Sequence, residues 1–209
     1  MALKRESITL CLIQCGQTTW EHDGRIHGST DLPLSDTGRE EVHAELHRMD
    51  QVKAATIYHP PDEAASETAQ ICAQHIGAKT KAVKELADPN LGLLEGLTEL
   101  EFSERFPSRH KQWEDDILTL SPPEGEDVVD AADQLFRAIA KLLRRTRSDE
   151  VAIVLHPLAL GMVRCWMSDL PLSDVHSINR NRPRMERYIM PSELIPALEN
   201  AVATAYADS

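Results

Sequence analysis

Residues 12–42 read LIQCGQTTWEHDGRIHGSTDLPLSDTGREEV, and the reading of this stretch decides the fold. It opens on the end of an apolar run, residues 8–13, interrupted only by Thr9 and closed by Gly16. A continuous run of that length reads as a strand buried on both faces, the habit of parallel sheets. The next segment, residues 16–33, carries polar side chains with Gly24, Gly28 and Pro33, and reads as a loop. Loops this long inside a compact unit are usually functional. Thr37 and Glu40 have the spacing of a capping box, and Val42, Leu46 and Met49 follow at helical spacing, so a helix is expected to about residue 52.

Strands and helices alternate along the rest of the chain. Short strands are expected over 54–58, 79–86, 151–155 and 187–190, the one at 151–155 being the most apolar. Helices are expected over 63–75, closed by Gly77, and over 98–106, 158–167 and 192–205. A long helix from Val128 carries Ala132, Leu135, Ile139 and Leu142 on one face, with Arg144 and Arg145 at its negative end. Strand–helix alternation implies a three-layer α/β/α sandwich around a mostly parallel sheet. Ligands bind at the carboxyl ends of such strands. The residues to read for chemistry are therefore Gln14-Cys15-Gly16, His59-Pro60, Asp88 and His156-Pro157.

The 209 residues are expected to form a single domain, with no repeat and no low-complexity stretch. A net charge of −12 repels nucleic acid and anionic membranes, so neither is an expected partner. No apolar segment reaches the ~18 residues of a membrane span, and no secretory pattern stands at the start. The four cysteines lack paired spacing, which fits reduced, mostly buried thiols in a cytoplasmic protein. No cofactor motif is present.

The strand ends also carry a resemblance. The opening stretch is similar to that of the histidine phosphatase superfamily, the phosphoglycerate-mutase-like proteins. There a strand ends in R-H-G-E/Q-T/S-x-W-N, followed by G-R-x-x-G and D-x-P-L-S-x-x-G. Gly16, Gln17, Thr18, Trp20, Gly24-Arg25, Gly28, Asp31, Pro33-Leu34-Ser35 and Gly38 fit that pattern. SETAQICA (66–73) resembles the family's R-E-T-A segment, LADPNLGLLEGLT (86–98) its L-x-E-x-x-x-G-x-x-E-G-x-T segment, and VAIVLHP (151–157) its late strand ending in S-H-G.

The resemblance implies a site and, in the same positions, its loss. The family's nucleophilic histidine corresponds to Cys15, and the phosphate-binding arginine before it to Gln14. A second phosphate-binding arginine falls on Ala64, the asparagine of the first motif on Glu21, and the proton-donating glutamate on Asp88. The late histidine remains as His156, followed by Pro157. Phosphoryl transfer is mainly positioning and electrostatic stabilisation, and arginine supplies a charged planar fork of donors. Gln14 adds no charge, Ala64 no donor, and Glu21 repels an anion.

Cys15 could act as nucleophile with His156 as its partner, but a cysteine-phosphatase loop puts an arginine six residues on, where Glu21 stands. Cys15, His59 and His156, with His22 and His27 on the first loop, offer zinc-type ligands in a spacing that matches no zinc motif, and no metal is expected. Thr18 and Arg25 could hold an anion or merely the loop. Trp20 is expected to pack that loop, Glu95 and Gly96 to hold a turn, and Cys11, Cys72 and Cys165 to lie in the core. Arg180 to Arg184 form a basic cluster best read as a solvated loop.

The expectation is a superfamily member with degenerate catalysis that binds a small phosphorylated or other anionic molecule, or a protein. The alternative is an active phosphomonoesterase using Cys15 or His156.

Overall fold

The computed structural model describes residues 5–180 and 182–203. Five strands form one mixed sheet in the order β3-β2-β4-β1-β5. They are β1 (Ser7–Gln14), β2 (Thr56–His59), β3 (Lys79–Ala82), β4 (Glu150–Leu155) and β5 (Met185–Pro191). β1, β2, β3 and β4 run parallel, and β5 pairs antiparallel with β1 along one edge. Helices pack on both faces, giving the three-layer α/β/α arrangement expected from strand–helix alternation.

The two-residue period of the central strands divides the core. Leu10 and Leu12 of β1 and Val151, Ile153 and Leu155 of β4 belong to one apolar cluster. It is filled from α6 (Val128–Arg145) and α7 (Pro157–Met167). Cys11, Ile13 and Cys15 of the β1 segment and Ala152 and Val154 of β4 belong to the other. That face is covered by α2 (Asp36–Glu45) and α3 (Glu63–Ile76). Every residue of β4 is buried, as the apolar run 151–155 predicts for all but Glu150, which is held by Arg187 and Lys53 N. β3 is the opposite case, an edge strand with all its residues exposed, including Lys79 and Lys81.

Several local expectations need correction. The cap of α2 is Ser35, whose hydroxyl accepts from Gly38 N, so Thr37 and Glu40 lie inside the helix and form no capping box. Ser35 can serve because its own backbone is extended, the conformation an N-cap needs. The α-helix stops at Glu45 and tightens into a 3₁₀ turn over Leu46–Met49, short of residue 52. The third strand ends at Ala82 and gives way to a 3₁₀ turn, Lys84–Leu86. The first loop contains a one-turn helix, α1 (Thr19–His22), capped by Thr18. α4 (Glu99–Arg105) has the expected extent, and α5 (Pro107–Asp115) was not anticipated. The last helix is a 3₁₀ turn, Ser192–Leu194, followed by α8 (Ile195–Glu199), and residues 204 and 205 of the expected helix lie outside the described residues.

The first loop is held against α2 by close backbone approach. A Cβ on Gly38 would come within 2.2 Å of Gln17 O, so no larger residue fits without moving the loop. Trp20 rests on Gly96, where a Cβ would meet its ring at 3.1 Å. Among the described residues, no helix is long and apolar enough to cross a membrane.

Candidate functional site

The adjacent ends of β1 and β4 bring Cys15 and His156 together. Cys15 N donates to Leu155 O at 2.8 Å, which locks the two strand ends in register. Strand alternation turns the Cys15 side chain toward the α3 face, where it is 1% exposed. Its Sγ lies 3.6 Å from Thr68 Oγ1, and the same hydroxyl oxygen accepts from Gly16 N at 3.1 Å. Arg184 reaches the Cys15 carbonyl at 3.3 Å, and its charge is taken by Glu41.

His156 caps α7 and is almost wholly buried. Its Nε2 donates to Asp62 Oδ1 at 3.0 Å, and that oxygen also accepts from Ala65 N at 2.9 Å, capping α3. Burial works against a charged ring here. The neighbouring Cys15 sulfur and the Asp62 carboxylate outweigh it, and His156 titrates well above its ordinary value. Burial likewise pushes Asp62 up, but the bonds from His156 and Ala65 N prevail and hold it low.

A second histidine closes over the first. The His27 ring lies 4.5 Å from that of His156 and is tilted by 37°. Both its nitrogens are buried and without a hydrogen-bond partner among the described residues. Burial first, then the His156 charge, lowers its pKa to about 4, so the ring is neutral at pH 7. Gly28 makes this possible. Its φ of +70° turns the chain under Glu95, and a Cβ there would meet the Glu95 carboxylate at 2.3 Å. That carboxylate also takes Ser29 N, Leu91 N and the Ser29 and Thr30 hydroxyls, so it holds the turn as expected. A proton NMR titration should therefore place the His27 midpoint near pH 4 and that of His156 above 6.5. A His27 midpoint near 6.5 would mean that the ring is solvated or partnered.

Beside the histidine pair lies a cavity of about 320 Å³. Glu21, Arg25, His27, Asp88 and Glu99 are among its lining residues, with Leu91, Trp113, Leu158 and His176. The Asp88 carboxylate is buried and accepts from Ala159 N, in the first turn of α7, at 2.9 Å. Burial raises its pKa to about 6, against the opposing charge of His156. Glu21 Oε2 accepts from Thr18 N and Thr18 Oγ1, so part of this carboxylate closes the cap of α1. Arg25 is turned away into structure, donating to Gly96 O at 2.7 Å and pairing with Glu101 at 3.5 Å. Ala64 is fully buried in the first turn of α3 and brings no polar group.

The family model for the histidine phosphatase superfamily (branch 1) matches residues 10–185. The chain belongs to this superfamily. Among curated relatives, phosphoglycerate mutase-like protein 4 of Arabidopsis thaliana is 25% identical over 150 residues, covering 70% of this chain. The match spans 65% of that relative, a little under two thirds of its length. Among solved structures, Bacillus stearothermophilus YhfR is 25% identical with a TM-score of 0.77, over 86% of this chain and 90% of that one. A mycobacterial glucosyl-3-phosphoglycerate phosphatase in complex with VO3 shares the fold, with a TM-score of 0.71 and 23% identity over 80% of this chain and 85% of its own.

Within this superfamily frame the structure gathers Cys15, Gly16 and His156 at neighbouring strand ends, with Asp88 against the start of α7. His59 does not join them. Its Nδ1 donates to Pro60 O at 2.6 Å, and Cys15, His59 and His156 do not converge as a metal-ligand group. Among the described residues the one such group is Glu99, His110 and Glu114, where both His110 nitrogens already face a carboxylate. Arg182 and Arg184 are paired with Glu186 and Glu41, so two members of the basic cluster are structural rather than solvated.

Sequence reasoning passed over Asp62, Thr68, Trp113 and His176. Asp62 had a local signal, an acidic residue after Pro60-Pro61 at the head of a helix, which marks an N-cap. Its bond to His156 is tertiary and had none.

Proposed function

We propose that this superfamily member has lost, or nearly lost, phosphoryl transfer and acts by binding a small molecule or a protein at the strand-end cavity. One observation carries the reading. The positions that should hold cations for a phosphate are Gln14 and Ala64, and the remaining arginine of the cavity wall, Arg25, is spent on Gly96 O and Glu101. Each oriented donor missing from a transition state costs ~10²–10³ in rate, and Glu21 and Asp88 add negative charge where an anion would sit. The mycobacterial neighbour is a phosphatase for glucosyl-3-phosphoglycerate, a phosphorylated small molecule. This chain keeps that fold. Four free, buried thiols support a reducing, cytoplasmic setting.

A second reading has its own support. Asp62, His156 and Cys15 run in sequence like an orienting group, a base and a nucleophile. Against it, the Cys15 sulfur faces Thr68 and the core, and Cys15 does not line the cavity.

Hydrolysis of p-nitrophenyl phosphate across pH tests both. Native protein, Cys15→Ser and His156→Ala are expected to be equally inert above buffer. Native turnover that disappears in either variant would overturn the proposal and name the working group.

A further inference from the structure

We propose that the strand-end cavity is a site for a small organic cation, an ammonium group on an apolar body, rather than for a phosphate. This rests on reading the cavity as a binding site and names the ligand class it takes.

The charge of the wall is the first ground. Glu21, Asp88 and Glu99 line the cavity, and the single arginine among the lining residues is neutralised by Glu101. His27 and His176 are both pushed toward the neutral form, chiefly by burial, and the charged His156 ring behind His27 is not in the lining and is already paired with Asp62. The long-range field of a chain with net charge −12 has the same sign.

The second ground is independent of the acids. His27 is 7% exposed, lines the cavity, and leaves both ring nitrogens without a partner among the described residues. A buried polar group so placed calls for a partner. A neutral imidazole has one lone pair, and an ammonium N–H can fill it once the ring turns toward the cavity, because neither nitrogen is exposed as the ring stands. Burial disfavours the charged Asp88 carboxylate despite the opposing charge of His156, so a cation in the cavity would add to what His156 supplies.

The apolar wall sets the rest of the ligand. Leu91, Leu158 and Val175 supply aliphatic contact, and Trp113 supplies an indole that can also attract a cation. A volume of about 320 Å³ lies at the small end of ligand sites and suits a compact molecule.

Calorimetric titration at pH 8 and low salt tests this with 2-phenylethylammonium, 2-phenylethanol, phenylacetate and inorganic phosphate, on native protein and Asp88→Asn. The first three probes share a ring and differ in head charge. The ammonium is expected to bind tightest, with phenylacetate and phosphate giving no heat. Asp88→Asn keeps the acceptor for Ala159 N and should weaken the ammonium roughly 10–100-fold, the worth of a charged hydrogen bond, and the alcohol far less. The ammonium should also shift the His27 ring resonances.

Equal binding of ammonium and alcohol, tighter binding of phenylacetate or phosphate, or an ammonium indifferent to Asp88→Asn would overturn the assignment. Ester hydrolysis reports separately. A protein that is inert to p-nitrophenyl phosphate yet takes phosphate into the cavity keeps the reading of lost chemistry and overturns the cation site. A protein that hydrolyses the ester and still selects the ammonium does the reverse.

Discussion

Replacing Arg164 with alanine is expected to cost about 3 kcal/mol of folding stability, from the charged hydrogen bonds lost and the space left in the core. Arg164 is fully buried within α7. Its Nε lies 3.0 Å from Glu186 Oε2, and its guanidinium donates to Asn179 Oδ1 at 2.9 Å and Pro183 O at 2.6 Å. One side chain thus ties α7 to the segment that leads into β5. Glu186 would keep the Tyr188 hydroxyl and Arg182 as partners. The loss therefore falls on the part-buried Asn179 and Pro183 oxygens and on the space the guanidinium filled. Asn179 is also part of the cavity wall, so the same change should loosen the site. Urea unfolding checks it, with a lower midpoint at unchanged slope. Arg164→Lys should fall between the two, because it keeps the charge and loses the planar fork. A loss below about 1 kcal/mol would mean that these contacts are not maintained.

Asp88→Asn should do the opposite and stabilise the protein at alkaline pH. The Asp88 pKa is raised from 3.8 to about 6, chiefly by burial, with Glu21 and Asp62 adding to the rise and His156 and Ala159 N opposing it. A carboxyl group raised on folding favours the folded state below its unfolded pKa and loses that contribution as pH climbs through the folded value. At pH 8 the native side chain is therefore ionised against its surroundings, at a cost on the order of 3 kcal/mol. Asparagine presents the same oxygen to Ala159 N with no charge to bury. The variant is expected to exceed native stability at pH 8 and to converge with it toward pH 4. A pH-independent difference, or a less stable variant at pH 8, would defeat the argument. Combined with weaker ammonium binding, the result would mark Asp88 as a residue kept for the ligand at the expense of the fold.

Residues buried on every side announced themselves in the sequence. β1 and β4 were legible because a central parallel strand must be apolar on both faces, and residues 8–13 and 151–155 are nearly so. α6 was legible from its stripe, which buries Ala132, Leu135 and Ile139. β3 was weakly legible because an edge strand with every residue exposed has no burial to record. α5 was missed for the same reason, since none of its residues is buried, although Trp113 within it lines the cavity.

The site divides along a similar line. Cys15, Asp88 and His156 could be found because sheet topology fixes where strand ends go. The contacts that decide their chemistry could not. Thr68 meets Cys15 across 53 positions, and Asp62 meets His156 across 94. His27 was visible as one loop histidine among nine, and its stacking on His156 follows only from the turn at Gly28.

Among the described residues the sheet also ends on two open ladders, and they are unequally guarded. β3 is four residues long and carries Lys79 and Lys81, so a second copy laid alongside would bring like charges together. β5 is seven residues long, with Ile189 75% exposed and the Arg187 charge already taken by Glu150. Pro191 at its end removes one donor from a would-be template. A crowded or partly opened population of this chain would therefore clump first through β5, and lysine or glutamate at position 189 is the change that would keep concentrated stocks clear.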